Sequence, residues 1–190
     1  MKQTFLAGPH RYRFAGWATA ALAWAAVFAT AHGYWYLGGR AGLGDAPHAL
    51  PDSPNSLAGW MLTSSVGLLF LAGVAVPAVL VWNLVPGLPR GVLVAAMGAG
   101  CAILIARGGL GLLDDLVRDL GITDGGLTGL SYLQTLGVEH PSSYTLVSTA
   151  AIDGYFLIGG LLFGQAARQT VSHGKEFCSL RSSTSMPAQV

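Results

Sequence analysis

Four long apolar runs, residues 14–36, 57–82, 92–113 and 144–167, dominate this chain, and two of them contain a charged side chain. A run of about 20 apolar residues is long enough to cross the hydrocarbon core of a bilayer as a helix. Arg107 lies in the third run and Asp153 in the fourth. An ionisable group inside a membrane span costs at least about 2.5–3.5 kcal/mol on insertion scales, so it turns toward a partner or a polar cavity. The runs predict a helical membrane protein, and the two charges predict where its polar centre lies.

Composition supports the same class. Only 10% of the residues are charged and 52% are hydrophobic, whereas soluble domains carry about 25% charged residues. A chain of 190 residues with so few charges cannot cover a soluble core with polar surface. A formal net charge of +1 gives no basis for nucleic-acid binding. The two cysteines, Cys101 and Cys178, fall in a span and near the C-terminus, with neither metal-ligand spacing nor a disulfide pattern.

The basic residues orient the spans, because cytoplasmic connections collect Lys and Arg. Lys2, Arg11 and Arg13 precede the first span, Arg90 lies between the second and third, and Arg168, Lys175 and Arg181 follow the fourth. Those seven share one side, against Arg40 and Arg118 on the other. The acidic residues Asp114, Asp115, Asp119, Asp124 and Glu139 accompany Arg118. Both termini are therefore expected in the cytoplasm and the acidic loop outside. Trp17, Trp35, Trp60, Trp82 and Tyr144 stand near span ends, as interfacial aromatic belts do. Ala29-Thr30-Ala31 resembles a signal-peptidase site, but the apolar stretch before it exceeds the usual 7–15 residues of a signal h-region. The first span is expected to stay.

Both outer connections are long. Leu37 to Ser56 is rich in Gly and Pro and reads as loop. In the second, residues 114–120 carry one apolar and one charged face, so the third helix is expected to continue outward. Gly125-Gly126 is expected to break it, with a short surface helix within Leu127 to Leu136. Such a loop is either a lid or a plain cap. The domain is expected to end near Ala167, and the Ser-, Thr- and Gln-rich residues 168–190 to form a disordered cytoplasmic tail.

At a rise of about 1.5 Å per residue, Asp153 lies about 13 Å and Arg107 about 10 Å below the outer boundary. Ser64 and Ser65 fall at a similar level in the second span, and His32 near the outer end of the first. Asp153 shares a helical stripe with Gly160 and Gly164, and Arg107 with Gly100, Gly111 and Asp114. Small residues mark where membrane helices approach closely, so these faces are expected to point into the bundle. The sequence predicts an Arg107–Asp153 ion pair with Asp114 as a second partner. A pair of this kind either locks the helices or forms a site. For His32, beside Tyr34, Trp35 and Tyr36, interfacial anchoring is the plainer role. Gly160-xxx-Gly164 reads as internal packing more than as a dimer seam.

No Walker loop, dinucleotide fingerprint, His-Glu-xx-His or nucleophile elbow is present, and Glu139-His140 alone makes a poor metal site. No cofactor and no metal is expected. The segment His32-Gly33-Tyr34-Trp35-Tyr36-Leu37-Gly38-Gly39-Arg40 resembles the first-helix signature of the domain-of-unknown-function 3995 family of short bacterial four-helix membrane proteins. Arg107-Gly108-Gly109-Leu110-Gly111 is similar to its third-helix Arg- and Gly-containing element, and Asp153 to its fourth-helix Asp. The resemblance covers residues 14–167, and the chain departs from it in the long acidic loop. It implies the four-span topology and points to His32, Arg107 and Asp153 without naming a reaction, cofactor or partner.

The expectation is thus an all-α polytopic protein of a bacterial plasma (inner) membrane, a four-transmembrane-helix bundle with both termini cytoplasmic. Its surroundings are the lipid bilayer. Its function is expected to be binding of a lipophilic small molecule or a partner membrane protein at a polar layer. The binding candidates are His32, Trp35, Ser64, Arg107, Asp114 and Asp153. The alternative is a membrane-embedded enzyme, with Asp153 or His32 moving a proton and Arg107 holding an anionic group.

Overall fold

A computed structural model describes residues 15–45, 56–123 and 125–183. The described residues are all-α: α1 Ala15–Tyr36, α2 Leu57–Trp82, α3 Arg90–Asp119, α4 Tyr132–Leu136 and α5 Ser143–Ser183. The four long helices coincide with the four apolar runs. Two differ in extent. Helix α3 continues past Leu113 to Asp119, as its amphipathic end implies. Helix α5 continues through the stretch expected to be a disordered tail, as far as Ser183. Residues 168–183 contain no Pro, and extending an existing helix adds a hydrogen bond per residue without a new nucleation cost. Residues 184–190 lie outside the described residues.

By length and composition α3 and α5 can each cross a bilayer, a coarse indication of a membrane location. In α2 the stretch Gly67–Trp82 is likewise apolar. Only 11% and 22% of the most apolar stretches of α3 and α5 is buried within the protein, so most of their apolar surface faces outward. Leu68, Leu69, Leu71, Ile103, Leu110, Leu113, Ile158 and Leu161 are exposed on the long helices.

Helices α3 and α5 form the most extensive packing, α1 packs on both α2 and α5, and α2 meets α3 only lightly. Glycine makes the α3–α5 approach possible. Gly100 lies under the Phe163 ring, Gly108 against the backbone of Asp153 and Leu157, Gly160 on Ile105 and Gly164 on Cys101. A Cβ at any of these would press on its neighbour. The Gly160-xxx-Gly164 stripe is therefore internal packing, as its sequence reading favours. The apolar core joins Trp24 and the α1 alanines 18, 21 and 25 to Met97 of α3 and Phe163 and Ala166 of α5. These residues come from the start of α1, the start of α3 and the later part of α5, so the core fills one half of the bundle. The ion-paired residues Arg107, Asp114, Asp115 and Arg118 of α3 and Asp153 of α5 lie in the other half.

Candidate functional site

The site is built where α3 ends. Gly121, at φ +63°, takes the left-handed turn that stops the helix. Its N–H donates to Arg118 O at 3.0 Å, and the Ile122 N–H to Val117 O at 3.1 Å. This is a Schellman ending, which the absent Cβ of glycine favours. The break thus falls at Gly121, before the expected Gly125-Gly126. Ser131 then starts α4 with a capping box, its hydroxyl accepting from Gln134 N while its own N–H donates to Gln134 Oε1, and Gly137 at φ +75° ends it. The short surface helix expected within Leu127 to Leu136 is therefore present, over five residues.

Arg118, in the last turn of α3, ties this segment down. Its side chain is only 5% exposed. Nη2 donates to Asp114 Oδ2 at 2.7 Å and to Leu130 O at 3.1 Å, and Nη1 reaches Asp115 Oδ1 at 3.5 Å. The guanidinium also lies over the Tyr132 ring, 4.5 Å from its centre. Asp114 uses its other oxygen, Oδ1, to accept the N–H groups of Leu127 at 2.6 Å and Thr128 at 2.9 Å. Gly126, at φ +60°, lies so close to that carboxylate that a side chain would collide with it. The Tyr132 hydroxyl donates to Asp119 at 3.1 Å, and burial first, then Asp119, raises its pKa above the usual phenol value.

One layer deeper, Arg107 Nη1 donates to Asp153 Oδ1 at 2.6 Å. The expected ion pair is present, and its partners are unequal: the Asp153 side chain is 3% exposed and that of Arg107 is 54% exposed. Arg107 also lies over the Phe156 ring, at 5.2 Å. Asp153 Oδ2 lies against Gly111, where any side chain would displace it. The expectation that Asp114 would be a second partner of Arg107 is corrected: Asp114 pairs with Arg118, one turn further along the same helix face. Between these two ion-pair layers and α4 is a cavity of about 340 Å³. Arg107, Asp114, Asp115, Arg118 and Asp153 line it, with Thr128, Tyr132, Thr135 and Thr149 and the apolar Leu110, Leu136 and Leu146.

The other candidates stand apart from the cavity. His32 is held by the rings of Phe28, Phe70 and Trp35, with Nδ1 3.0 Å from Phe28 O. Ser64 is exposed on α2, and Ser65 bonds back to Met61 O at 2.7 Å. The polar layer expected from all four helices is therefore formed by α3 and α5 alone. The reason is the packing order, since α2 rests mainly on α1.

Trp35 belongs to a different assembly. Its Nε1 donates to Ala41 O at 2.8 Å, and Gly39 lies beneath the Tyr34 ring with no room for a Cβ. The loop so folded meets the start of α5. Gly42 N donates to Tyr144 Oη at 3.2 Å, and Ser148 Oγ donates to Gly42 O. Asp45 Oδ2 accepts from Ser142 N and Thr145 Oγ1, each at 2.7 Å. Side-chain hydrogen bonds from Ser142 and Thr145 hold the Asp45 carboxyl down to a pKa of about 2.

Arg118, Asp115 and Tyr132 are the site residues that the sequence reading missed. The signal was there in part: Asp114 and Arg118 are spaced i,i+4 on the charged face of α3, a spacing at which opposite charges meet. Among the described residues, no group of three or more His, Cys, Asp or Glu side chains is arranged to hold a metal ion. Comparisons with protein-family models, with curated proteins and with solved structures find no match.

Proposed function

We propose that the chain is a four-span protein of a bacterial inner membrane, with both termini cytoplasmic, that binds a small lipophilic ligand in its outer polar cavity. The observation that carries this reading is the cavity itself. At about 340 Å³ it falls in the size range of ligand sites, and it combines apolar walls with a few fixed polar groups. A lock between helices would need only the Arg107–Asp153 contact and no space beside it. The seven-to-two partition of basic residues and the exposed apolar faces of α2, α3 and α5 support the membrane setting. We favour binding over catalysis because, of the two candidate proton carriers, His32 is enclosed by Phe28, Phe70 and Trp35 and does not line the cavity, and Asp153 is held in an ion pair with Arg107.

Thr149 lines the cavity from α5, so Thr149→Phe fills it without replacing a member of either ion pair. Native mass spectrometry of protein extracted directly from membranes is the test. Wild type is expected to carry a bound non-protein mass that Thr149→Phe lacks, with the two melting within a few degrees. A wild type with no bound mass, or a variant that retains it, would overturn the reading.

A further inference from the structure

Arg107 is the one side chain lining the cavity whose donors are both accessible and unused. The lining hydroxyls all donate within the protein: Thr128 to Gly125 O, Tyr132 to Asp119, Thr135 to Ser131 O and Thr149 to Thr145 O. Arg118 donates to Asp114, Asp115 and Leu130 O from a side chain only 5% exposed. Arg107 differs. Its side chain is 54% exposed, and only Nη1 is engaged, on Asp153 Oδ1. Nε and Nη2 meet no acceptor among the described residues. These two atoms form one edge of the planar guanidinium, a fork of parallel N–H groups. The Asp153 contact and the Phe156 ring, 5.2 Å away, hold that plane in place. Hydrocarbon offers no acceptor to a guanidinium inside a span, so its N–H groups need one from elsewhere.

We infer that Arg107 anchors an uncharged oxygen acceptor, so that the cavity takes lipophilic compounds bearing a carbonyl group. The inference rests on the ligand-binding reading above and specifies its chemistry. Charge decides against the other heads. An ammonium has no lone pair to accept with, and each lining carboxylate already faces an arginine. A carboxylate or phosphate would accept, but it would join Asp114, Asp115 and Asp153 around only two guanidinium groups. Its desolvation would then have no free counter-charge to offset it. A ketone, ester or amide oxygen has two lone pairs for the Arg107 fork and carries no charge to desolvate. The apolar walls of Leu110, Leu136 and Leu146 suit the hydrocarbon portion.

The full chain in dodecyl maltoside, a detergent without a carbonyl group, serves for the test. Four probes share a twelve-carbon chain: 2-dodecanone, dodecane, dodecanoic acid and dodecylamine. Native mass spectrometry gives their affinities, each corrected for partition into empty micelles. The ketone is expected to bind at least about tenfold more tightly than dodecane, the ratio of one hydrogen bond to a charged group. It is also expected to bind more tightly than the acid and the amine. Infrared spectra of 2-dodecanone carrying carbon-13 at the carbonyl test the contact directly. The bound C=O band is expected below its frequency in empty micelles, as a hydrogen bond from a guanidinium requires. The paired change Arg107→Met with Asp153→Leu leaves no charge stranded. It is expected to abolish both the band shift and the preference over dodecane, while Thr149→Phe abolishes binding of all four probes. An unshifted band, equal binding of ketone and dodecane, or tighter binding of the acid or the amine would overturn the carbonyl assignment and leave a ligand site in place. A band shift that survives the paired change would overturn the role of Arg107. Binding of no probe would overturn the assignment too, and with no bound mass in wild type from membranes the ligand-binding reading falls with it.

Discussion

Trp24 and Tyr155 bond to each other's backbone. Trp24 Nε1 donates to Tyr155 O at 3.0 Å, and Tyr155 Oη donates to Trp24 O at 2.7 Å. The rings stack with centres 5.0 Å apart, and Gly159, one turn along α5, leaves room for the indole. Both acceptors are carbonyls already used within their helices, so the clasp relies on the second lone pair of each. It fixes α1 against α5 in both height and rotation. Tyr155→Phe keeps the stacking and removes one bond, and should cost about 0.5–1.5 kcal/mol. Gly159→Leu forces the indole out and should cost more. Thermal melts in mild detergent would rank them, and a Gly159→Leu protein as stable as wild type would show that the clasp does not set the α1–α5 distance.

The Arg107–Asp153 pair should respond asymmetrically to mutation. Asp153 is buried and Arg107 half exposed. Arg107→Ala leaves a carboxylate stranded among α3 and α5 backbone, a loss typically of about 3–5 kcal/mol. Asp153→Ala leaves a guanidinium that can turn toward the cavity, so a smaller loss is expected. Arg107→Met with Asp153→Leu removes both charges and should recover much of the first loss. Equal effects of the two single changes, or additive losses in the double, would contradict the burial difference.

The sequence makes the pair legible because two charges at matching depth, each on a glycine-lined helix face, have few other partners in an apolar run. The ends of α1 and α2 were legible for a similar reason, since Gly and Pro punctuate the connections after them, whereas that of α5 was not, because residues 168–183 contain no Pro to stop the helix. What the sequence does not reveal is which helices meet. His32, Ser64, Arg107 and Asp153 stand at similar depth, yet α2 rests on α1, and so Ser64 faces outward while His32 enters an aromatic cluster. Depth is a one-dimensional quantity, and the packing order is not contained in it. The His32-to-Arg40 element illustrates the same gap. Its Tyr34, Trp35, Gly38 and Gly39 fold a loop onto the start of α5, a task that depends on Tyr144, Thr145 and Ser148 more than a hundred positions away.

Arg118 should not be replaceable by Lys. Its planar fork bridges Asp114, Asp115 and Leu130 O while stacking on Tyr132. An ammonium is a point charge that cannot hold that geometry. Arg118→Lys is therefore expected to loosen the connection from Gly121 to Gly137 while leaving α1 and α2 as they are. Hydrogen exchange followed by mass spectrometry should show at least about tenfold faster exchange at Leu127 and Thr128, whose amides Asp114 accepts. Unchanged protection there would mean that the turn holds itself without Arg118.

The loop between α1 and α2 carries a pH-sensitive attachment. The Asp45 carboxyl is lowered from 3.8 to about 2 by hydrogen bonds from Ser142 and Thr145. A carboxyl whose pKa is lower in the folded state contributes its stability above the unfolded value and loses it as pH falls through the folded one. The attachment should therefore be complete at pH 5 and above and weaken between about pH 4 and pH 2. Exchange at Asp45 N–H, which donates to Thr145 Oγ1 at 2.9 Å, reports on it. Once corrected for intrinsic rates, protection should fall across that window, and Asp45→Asn should be insensitive to pH there. A wild type with flat protection would show that the loop is held without the carboxylate.

Orientation is the prediction with the widest consequence, because it decides from which side of the membrane the cavity is reached. The cavity opens beside the turn from α3 to α4, on the side that carries only Arg40 and Arg118 among the basic residues outside the spans. A cytoplasmic face attracts Lys and Arg, so this end should be external. Thr128 is exposed in that turn. After Cys101 and Cys178 are changed to Ser, a cysteine at Thr128 should react with a membrane-impermeant maleimide in intact cells. One at Ser182 should react only after lysis. The reverse pattern would place the cavity on the cytoplasmic side. Labelling of both in intact cells would mean an even number of crossings between them, where the four-span arrangement has one, and would end that arrangement.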